Sequence, residues 1–175
     1  MPASSGAFNG ANSNRANTAF TIGLFTILGA LCFEYIGGYQ PCELCLLQRW
    51  PYYIGLPLLG LTIAMWRTVP VPARIGATIV VFALFVWSIY LGTYHAGVEW
   101  GFWPGPTSCT GLGEGGNFSD LSNLNAKKVV PCDKVQWRFL GLSFAGYNAL
   151  ISVVIAGFLG WSVLGQIKRF RREGR

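Results

Sequence analysis

The sequence predicts an all-α membrane protein, a four-transmembrane-helix bundle with both termini in the cytoplasm and two loops on the opposite side. Apolar residues make up 52% of the chain and charged residues only 11%, whereas a soluble domain carries roughly 25% charged residues. Four stretches contain no Asp, Glu, Lys or Arg, at 16–33, 50–66, 75–98 and 139–167. Each is long enough for a helix that crosses a bilayer, which needs roughly 17–25 residues. Because these runs are continuously apolar rather than alternating, they favour helices over barrel strands.

The predicted elements follow from these runs and their flanks. Residues 1–15 are rich in Asn, Ser, Ala and Gly, and we expect a disordered cytoplasmic leader there. No small-residue cleavage motif follows the first apolar run, which is therefore interpreted as a retained helix rather than a signal peptide. The helices are expected at about 16–36, 46–66, 74–95 and 141–165, within one domain at 16–167. Periplasmic loops are expected at about 37–44 and 96–138, and a basic tail at 168–175.

The charge distribution predicts the orientation. With four helices the two ends of the chain share a side, and most of the basic residues then share it too: Arg15, Arg67, Arg74, Lys168, Arg169, Arg171, Arg172 and Arg175. All but one of the seven acidic residues fall on the other side: Glu34, Glu43, Glu99, Glu114, Asp120 and Asp133. The positive-inside rule places the basic side in the cytoplasm. The net charge of +6 is thus interpreted as a topology anchor, not as a nucleic-acid binding surface.

Four of the five cysteines fall in or beside the predicted outer loops. Cys42 and Cys45 belong to the first loop, and Cys109 and Cys132 to the second. Disulfides persist in the periplasm, on the outer side of a bacterial inner membrane, or in an equivalent oxidising lumen. The fifth, Cys32, lies within an apolar helix, where we expect a small buried and inert side chain.

Cys42 and Cys45 form a C-x-x-C motif at the entrance of the second helix. A helix N-terminus or a nearby cation lowers the pKa of a thiol and so produces the reactive thiolate. Arg49 lies one helical turn after Cys45, on the same face. A cation in the first turn opposes the helix dipole and is costly near hydrocarbon. A Cys45 thiolate or an electron-rich ligand would offset that cost, and so would snorkelling of Arg49 to lipid phosphates.

Two other interpretations of the cysteines remain open at this point. Structural zinc usually takes four ligands, often as two close-spaced pairs, and Cys109 and Cys132 are too far apart in sequence to form a second pair. We therefore predict no metal. A disulfide between Cys109 and Cys132 would close a glycine-rich loop and stabilise the fold by roughly 3–4 kcal/mol. A purely structural role is consistent with that pair taken alone.

Two runs of sequence carry a resemblance to a known family. The run Pro41-Cys-Glu-Leu-Cys-Leu-Leu-Gln-Arg49 and the run Cys132-Asp-Lys-Val-Gln-Trp-Arg-Phe-Leu-Gly-Leu142, with Cys109 between them, resemble the disulfide bond formation protein B (DsbB) family. The resemblance covers about residues 18–164. It implies a protein-disulfide:quinone oxidoreductase of the bacterial inner membrane. Such a protein oxidises the periplasmic thioredoxin-like oxidase DsbA, passes the electrons to membrane quinone and so sustains disulfide formation in exported proteins.

The resemblance also implies roles for individual residues. Cys42 and Cys45 match the quinone-proximal pair, with Cys45 as the thiolate that contacts the quinone ring, and Arg49 supports quinone binding. Cys109 is the sulfur that DsbA attacks, and its partner Cys132 would attack the first pair through Cys42. Ubiquinone is favoured over menaquinone, and no metal is expected.

The residues around the second loop have two interpretations each. His95 is either a satisfied interfacial polar residue or a donor to a quinone oxygen. Most of the aromatic residues beside the loop are expected to form an interfacial belt, and a share to line a cofactor pocket: Trp100, Phe102, Trp103, Trp137 and Phe139.

Two alternative functions remain. One is a quinone-linked thiol enzyme resembling the vitamin K epoxide reductase family, although in that family the loop pair precedes the C-x-x-C motif and here it follows. The other is a non-catalytic membrane protein with structural disulfides, against which the arginine beside the C-x-x-C motif argues.

Overall fold

A computed structural model describes residues 3–106 and 131–173 of the chain. Within these ranges the chain forms four helices, α1 (Ala3–Tyr35), α2 (Glu43–Ala64), α3 (Val71–Glu99) and α4 (Phe144–Glu173). Two short antiparallel strands, β1 (Arg138–Phe139) and β2 (Leu142–Ser143), precede α4. The predicted, predominantly helical fold is confirmed, and the small hairpin is an addition that the sequence did not indicate.

Three of the described helices are long and apolar enough to cross a membrane. These segments are Gly10–Tyr35, Val71–Glu99 and Phe144–Arg172. Their outer faces expose large apolar side chains, among them Phe25, Trp87 and Trp161, as lipid-facing helices do. The second helix, which contains Pro51 and Pro57, is not among the three, and its crossing of the membrane stays a prediction.

Three helices, α1, α3 and α4, are longer than the sequence predicted, and α3 spans Val71–Glu99 rather than about 74–95. Helix α1 begins at Ala3 rather than near residue 16, so the leader expected to be disordered is helical from Ala3 onward. Packing against α4 explains the difference. The backbone carbonyl of Asn12 accepts a hydrogen bond from Ser162 Oγ at 3.0 Å, and the Arg15 guanidinium lies 4.2 Å from the centre of the Trp161 ring. Helix α4 in turn continues through the predicted basic tail to Glu173.

Close packing of α3 on α4 positions the functional site. A Cβ atom on Gly92 would lie 2.9 Å from the backbone nitrogen of Ala149, so the missing side chain allows the two helices to approach closely. Two turns before Gly92 on α3, the ring of Phe85 packs edge to face against the ring of Tyr52, with 5.1 Å between the ring centres. Both side chains are buried. This contact brings α2 against α3, so the three helices share one core.

The hairpin redirects the chain into α4. Its two central residues, Leu140 and Gly141, have φ angles of 49° and 82°, the positive pair expected for a two-residue type I′ turn. Glycine adopts this conformation without steric cost. The hydroxyl of Tyr147 in the first turn of α4 donates to the carbonyl of Phe139 at 3.1 Å, which holds the hairpin against the helix.

Candidate functional site

Cys42 and Cys45 occupy the N-terminus of α2, as the sequence predicted. Cys42 is the N-cap, and its Sγ accepts the backbone N–H of Cys45 at 3.3 Å. Both are free thiols in this state, Cys42 buried and Cys45 partly buried. A sulfur at an N-cap receives a donor that the helix would otherwise leave without a partner, so the local fold itself favours negative charge on Cys42.

The environment of Cys42 favours its thiolate. A hydrogen bond from the Cys45 side chain, reinforced by a hydrogen bond from His95, lowers the pKa of the Cys42 thiol to about 5, although burial acts in the opposite direction. The sequence-based expectation assigned the thiolate to Cys45. The role of a Cys45 thiolate at the quinone stays a prediction, and in the reduced pair the contacts around Cys42 lower the pKa of Cys42.

His95 connects the dithiol to the interior of the bundle. Its Nε2 lies 3.7 Å from Cys42 Sγ and 3.8 Å from a carboxylate oxygen of Glu99. Its Nδ1 lies 2.7 Å from Gln48 Nε2. Because the Gln48 amide N–H donates to Nδ1, the ring proton is carried by Nε2 and faces the Cys42 sulfur.

A chain of hydrogen bonds fixes the orientation of Gln48. Asn148 Nδ2 donates to Gln48 Oε1 at 2.8 Å, and the Tyr52 hydroxyl donates to Asn148 Oδ1 at 2.8 Å. Ser88 and Ser152, 2.9 Å apart, complete this polar network at its inner end. The network therefore spans α2, α3 and α4 and directs its donors toward Cys42.

This polar network was not predicted from the sequence. A usable signal was present in the spacing of its members. Gln48 and Tyr52 are four residues apart, as are Asn148 and Ser152, and Ser88 precedes His95 by seven. Such spacings place polar groups on one face of a helix, and polar groups within apolar segments face the bundle interior.

Cys132 lies against the dithiol. It is buried in one cluster with Cys42, Leu44 and Cys45, and it is disulfide-bonded. Its backbone hydrogen-bonds to His95. The segment that carries it is held to the α1–α2 loop, where Gln136 Nε2 donates to the carbonyl of Gln40 at 2.6 Å. A disulfide sulfur and two free thiols therefore share one buried pocket.

Arg49 forms an ion pair with Glu34 at the end of α1. A thiolate, an electron-rich ligand or a lipid phosphate was expected from the sequence to offset the arginine charge, and Glu34 was not predicted as its partner. Both side chains are largely shielded from solvent, with 12% and 22% of their surface exposed. The guanidinium so held also lies in the wall of the cavity described next.

A cavity of about 430 Å³ opens beside the dithiol. Its wall includes Cys42, Cys45, Arg49 and His95. The rest is mainly apolar and aromatic, with Trp137 stacked on Phe144 at 4.7 Å between ring centres. The aromatic residues that line it are Phe25, Phe33, Tyr39, Tyr52, Trp137, Phe139, Phe144 and Tyr147. Such a wall suits a planar apolar ligand that has a few polar atoms at one edge.

The remaining predicted positions have mixed outcomes. Cys109 lies outside the residues that the structure describes. Trp100, Phe102 and Trp103 are exposed, as expected for an interfacial belt. Cys32 is a free thiol exposed on the surface of α1, so the expectation that it is buried was wrong. Its helical face points away from the core.

The fold and site define a multi-pass membrane protein with a buried dithiol beside a third, disulfide-bonded cysteine. The model of the family "Disulfide bond formation protein DsbB" matches residues 14–162. This chain belongs to that family, as the resemblance indicated, and its role is in disulfide bond formation. The match is to this family rather than to the vitamin K epoxide reductase family considered above.

Two relatives are similar over most of the chain. Disulfide bond formation protein B of Stutzerimonas stutzeri (strain A1501) is 28% identical over 163 residues, which cover 89% of this chain and 93% of the relative. Uncharacterized protein RP370 of Rickettsia prowazekii (strain Madrid E) is 28% identical over 144 residues, which cover 80% of this chain and 81% of the relative. No solved structure gives a significant match.

Proposed function

We propose that this protein is a protein-disulfide:quinone oxidoreductase that re-oxidises a DsbA-like thiol oxidase and passes the electrons to membrane quinone. The observation that carries the proposal is the burial of disulfide-bonded Cys132 against the free thiols Cys42 and Cys45. Disulfide exchange requires a thiolate beside a disulfide sulfur, and this arrangement supplies both. We place the site on the periplasmic side of a bacterial inner membrane.

The proposed exchange starts from a Cys42–Cys45 disulfide and a Cys132 disulfide whose other partner we propose to be Cys109. A thiolate of reduced DsbA attacks Cys109, and Cys132 leaves as a thiolate. Cys132 then attacks Cys42, which releases Cys45 as a thiolate. The second DsbA thiol attacks the DsbA sulfur of the mixed disulfide and releases Cys109 as a thiolate. Cys109 then attacks Cys132, which restores the Cys109–Cys132 bond, breaks the Cys132–Cys42 bond and releases Cys42 as a thiolate. Two electrons and two protons have then moved from DsbA to the Cys42 and Cys45 thiols.

The described state matches the end of this sequence, because Cys42 and Cys45 are free thiols while Cys132 is disulfide-bonded. A thiolate on Cys42 with a pKa of about 5 is a good leaving group, which favours its release when Cys109 attacks Cys132 and restores their bond. His95 and the Cys45 side chain stabilise the negative charge as it develops on Cys42.

The cavity fits a quinone on three grounds. It is apolar and aromatic, Cys45 lies in its wall, and Arg49 supplies a cation at its edge. A bound quinone would accept two electrons and two protons, and Cys45, Arg49 and the aromatic wall are the groups that would hold it. Glu34 would keep the guanidinium oriented toward the cavity, and ubiquinone is the form that we favour.

A quinone-reduction assay tests the proposal. Purified protein in detergent is mixed with a reduced DsbA-like protein and a soluble ubiquinone analogue, and loss of the quinone absorbance is followed. Replacement of Cys42, Cys45, Cys109 or Cys132 by serine should each abolish turnover, while Cys32→Ser, the matched control, should retain it. Turnover that survives Cys42→Ser or Cys45→Ser would contradict the proposal.

A further inference from the structure

We propose that Cys42, Cys45 and His95, when both thiols are reduced, form a binding site for a soft divalent cation such as Zn²⁺ or Cd²⁺. One ligand atom from each residue, two sulfurs and a ring nitrogen, lies within 4.8 Å of the other two. Thiolate and imidazole ligands are the set that selects these ions. No zinc site was predicted from the sequence, because it contains no second closely spaced cysteine pair. In the structure the third ligand is His95, which belongs to α3.

The distances fit tetrahedral coordination. With metal–sulfur bonds of about 2.3 Å and metal–nitrogen bonds of about 2.0–2.1 Å, neighbouring ligand atoms are about 3.6–3.8 Å apart. Cys42 Sγ and His95 Nε2 already lie 3.7 Å apart. Because no two ligand atoms are more than 4.8 Å apart, the remaining separations need a closure of at most about 1 Å, which rotation of one thiol side chain supplies. The fourth position is left for water, as in zinc centres with three protein ligands.

The surroundings support a cation. Gln48 contacts His95 Nδ1 at 2.7 Å, and rotation of its amide lets the Gln48 carbonyl accept Nδ1–H and leaves the Nε2 lone pair for the metal. Asn148 can rotate with it, because its amide offers both a donor and an acceptor. Two thiolates neutralise a divalent cation, so burial of the complex adds no net charge.

Binding and oxidation exclude one another at this site. The cation needs both thiolates, and a Cys42–Cys45 disulfide provides neither. Binding releases thiol protons and transfers no electrons. Occupancy would therefore hold the pair reduced and block electron release, so the site is inhibitory. This consequence rests on the proposed function, whereas metal binding itself does not.

The test is a zinc titration of the phosphine-reduced protein in detergent against a chromophoric chelator. The background chain has Cys109 and Cys132 replaced by serine, so that only the proposed sulfurs and Cys32 remain. We expect one equivalent of zinc in the reduced protein and none after oxidation. His95→Ala should weaken binding at least about tenfold, and Gln48→Leu by about 10–100-fold. Cys32→Ser, the matched control, should leave the affinity unchanged.

A second measurement, protection of the thiols from alkylation, needs no substitution at the metal site. In the otherwise unsubstituted protein, zinc should protect Cys42 and Cys45 from alkylation while Cys32 stays reactive, as mass spectrometry of the labelled peptides would show. Equal zinc affinity in His95→Ala, retained binding in Cys42→Ser or unprotected thiols would each overturn the proposal. Zinc binding without quinone reduction would overturn only the proposed function, and quinone reduction without zinc binding only the metal site.

Discussion

The pKa of Cys42 can be tested directly, and its magnitude determines which assay is informative. A pKa of about 5 against an ordinary value of 9.0 makes the thiol about 99% ionised at pH 7, where an ordinary thiol is about 1% ionised. The same four-unit drop reduces the intrinsic nucleophilicity of the thiolate by about 40–100-fold. The two effects nearly cancel at pH 7. The midpoint of the pH profile is therefore the diagnostic quantity, not the absolute rate.

We expect alkylation of reduced Cys42 by iodoacetamide to rise with a midpoint near pH 5. The rate is measured by mass spectrometry of the Cys42 peptide, with the exposed thiol of Cys32 in the same sample as a reference for reagent quality. Cys45→Ala removes the largest stabilising contact and should raise the midpoint by about 1–3 pH units. His95→Ala should raise it less, because its contribution ranks below that of Cys45. A midpoint above about pH 8 in the unsubstituted protein, or one that Cys45→Ala leaves unchanged, would refute the assignment.

The same geometry makes further predictions. Because folding lowers the pKa of Cys42 from 9.0 to about 5, the reduced protein should lose the stability that this thiolate supplies as the pH falls from about 9 to 5. Denaturant titrations at several pH values measure the free energy of unfolding. Cys42→Ser should flatten its dependence on pH. Arg49→Ala should leave the helical circular dichroism largely unchanged and weaken quinone reduction. Glu34→Gln, which frees the guanidinium, should cause a smaller loss of quinone reduction. Unchanged turnover in Arg49→Ala would remove Arg49 from the mechanism. Asn148→Asp, which cannot donate to the polar network, should cost about 1–3 kcal/mol of unfolding free energy and raise the Cys42 midpoint. Gly92→Ala should destabilise by about 1–3 kcal/mol, while Gly157→Ala, with open space around its Cβ, should be neutral or stabilising in thermal unfolding.

The features that local sequence determines were predictable. Long uncharged runs specify membrane-compatible helices, because no alternative satisfies the backbone in lipid. The spacing of Cys42 and Cys45 at the start of α2 specifies an N-cap sulfur within reach of the next turn. The turn at Leu140-Gly141 was missed because its two-residue loop lacks the common Asn-Gly or Asp-Gly signature.

The features that depend on packing between helices were not predictable from one sequence. Arg49 and Glu34 are 15 positions apart and meet only because α1 and α2 lie side by side. The helical leader is a second case. Its composition favours disorder, and contacts between Asn12 and α4 supply the stabilisation that the local sequence lacks. The lowered pKa of Cys42 depends partly on His95, which belongs to α3, so the C-x-x-C motif alone does not account for it.

The chemistry of Cys42 therefore depends on how α3 and α4 pack, and this dependence can be tested away from the site. Asn148, which orients Gln48, directly precedes Ala149, and the backbone of Ala149 is what a side chain on Gly92 would contact. A methyl group at Gly92 should push α4 from α3, lengthen the hydrogen bonds from Asn148 and raise the midpoint of Cys42 alkylation, although no atom of the dithiol has changed. Gly157→Ala, on the same helix as Asn148 but with open space around its Cβ, should leave that midpoint in place. If both substitutions leave the Cys42 midpoint unchanged while Gly92→Ala still lowers stability, the polar network stabilises the fold but not the thiolate. Cys45, His95 and the helix N-terminus alone would then stabilise the Cys42 thiolate.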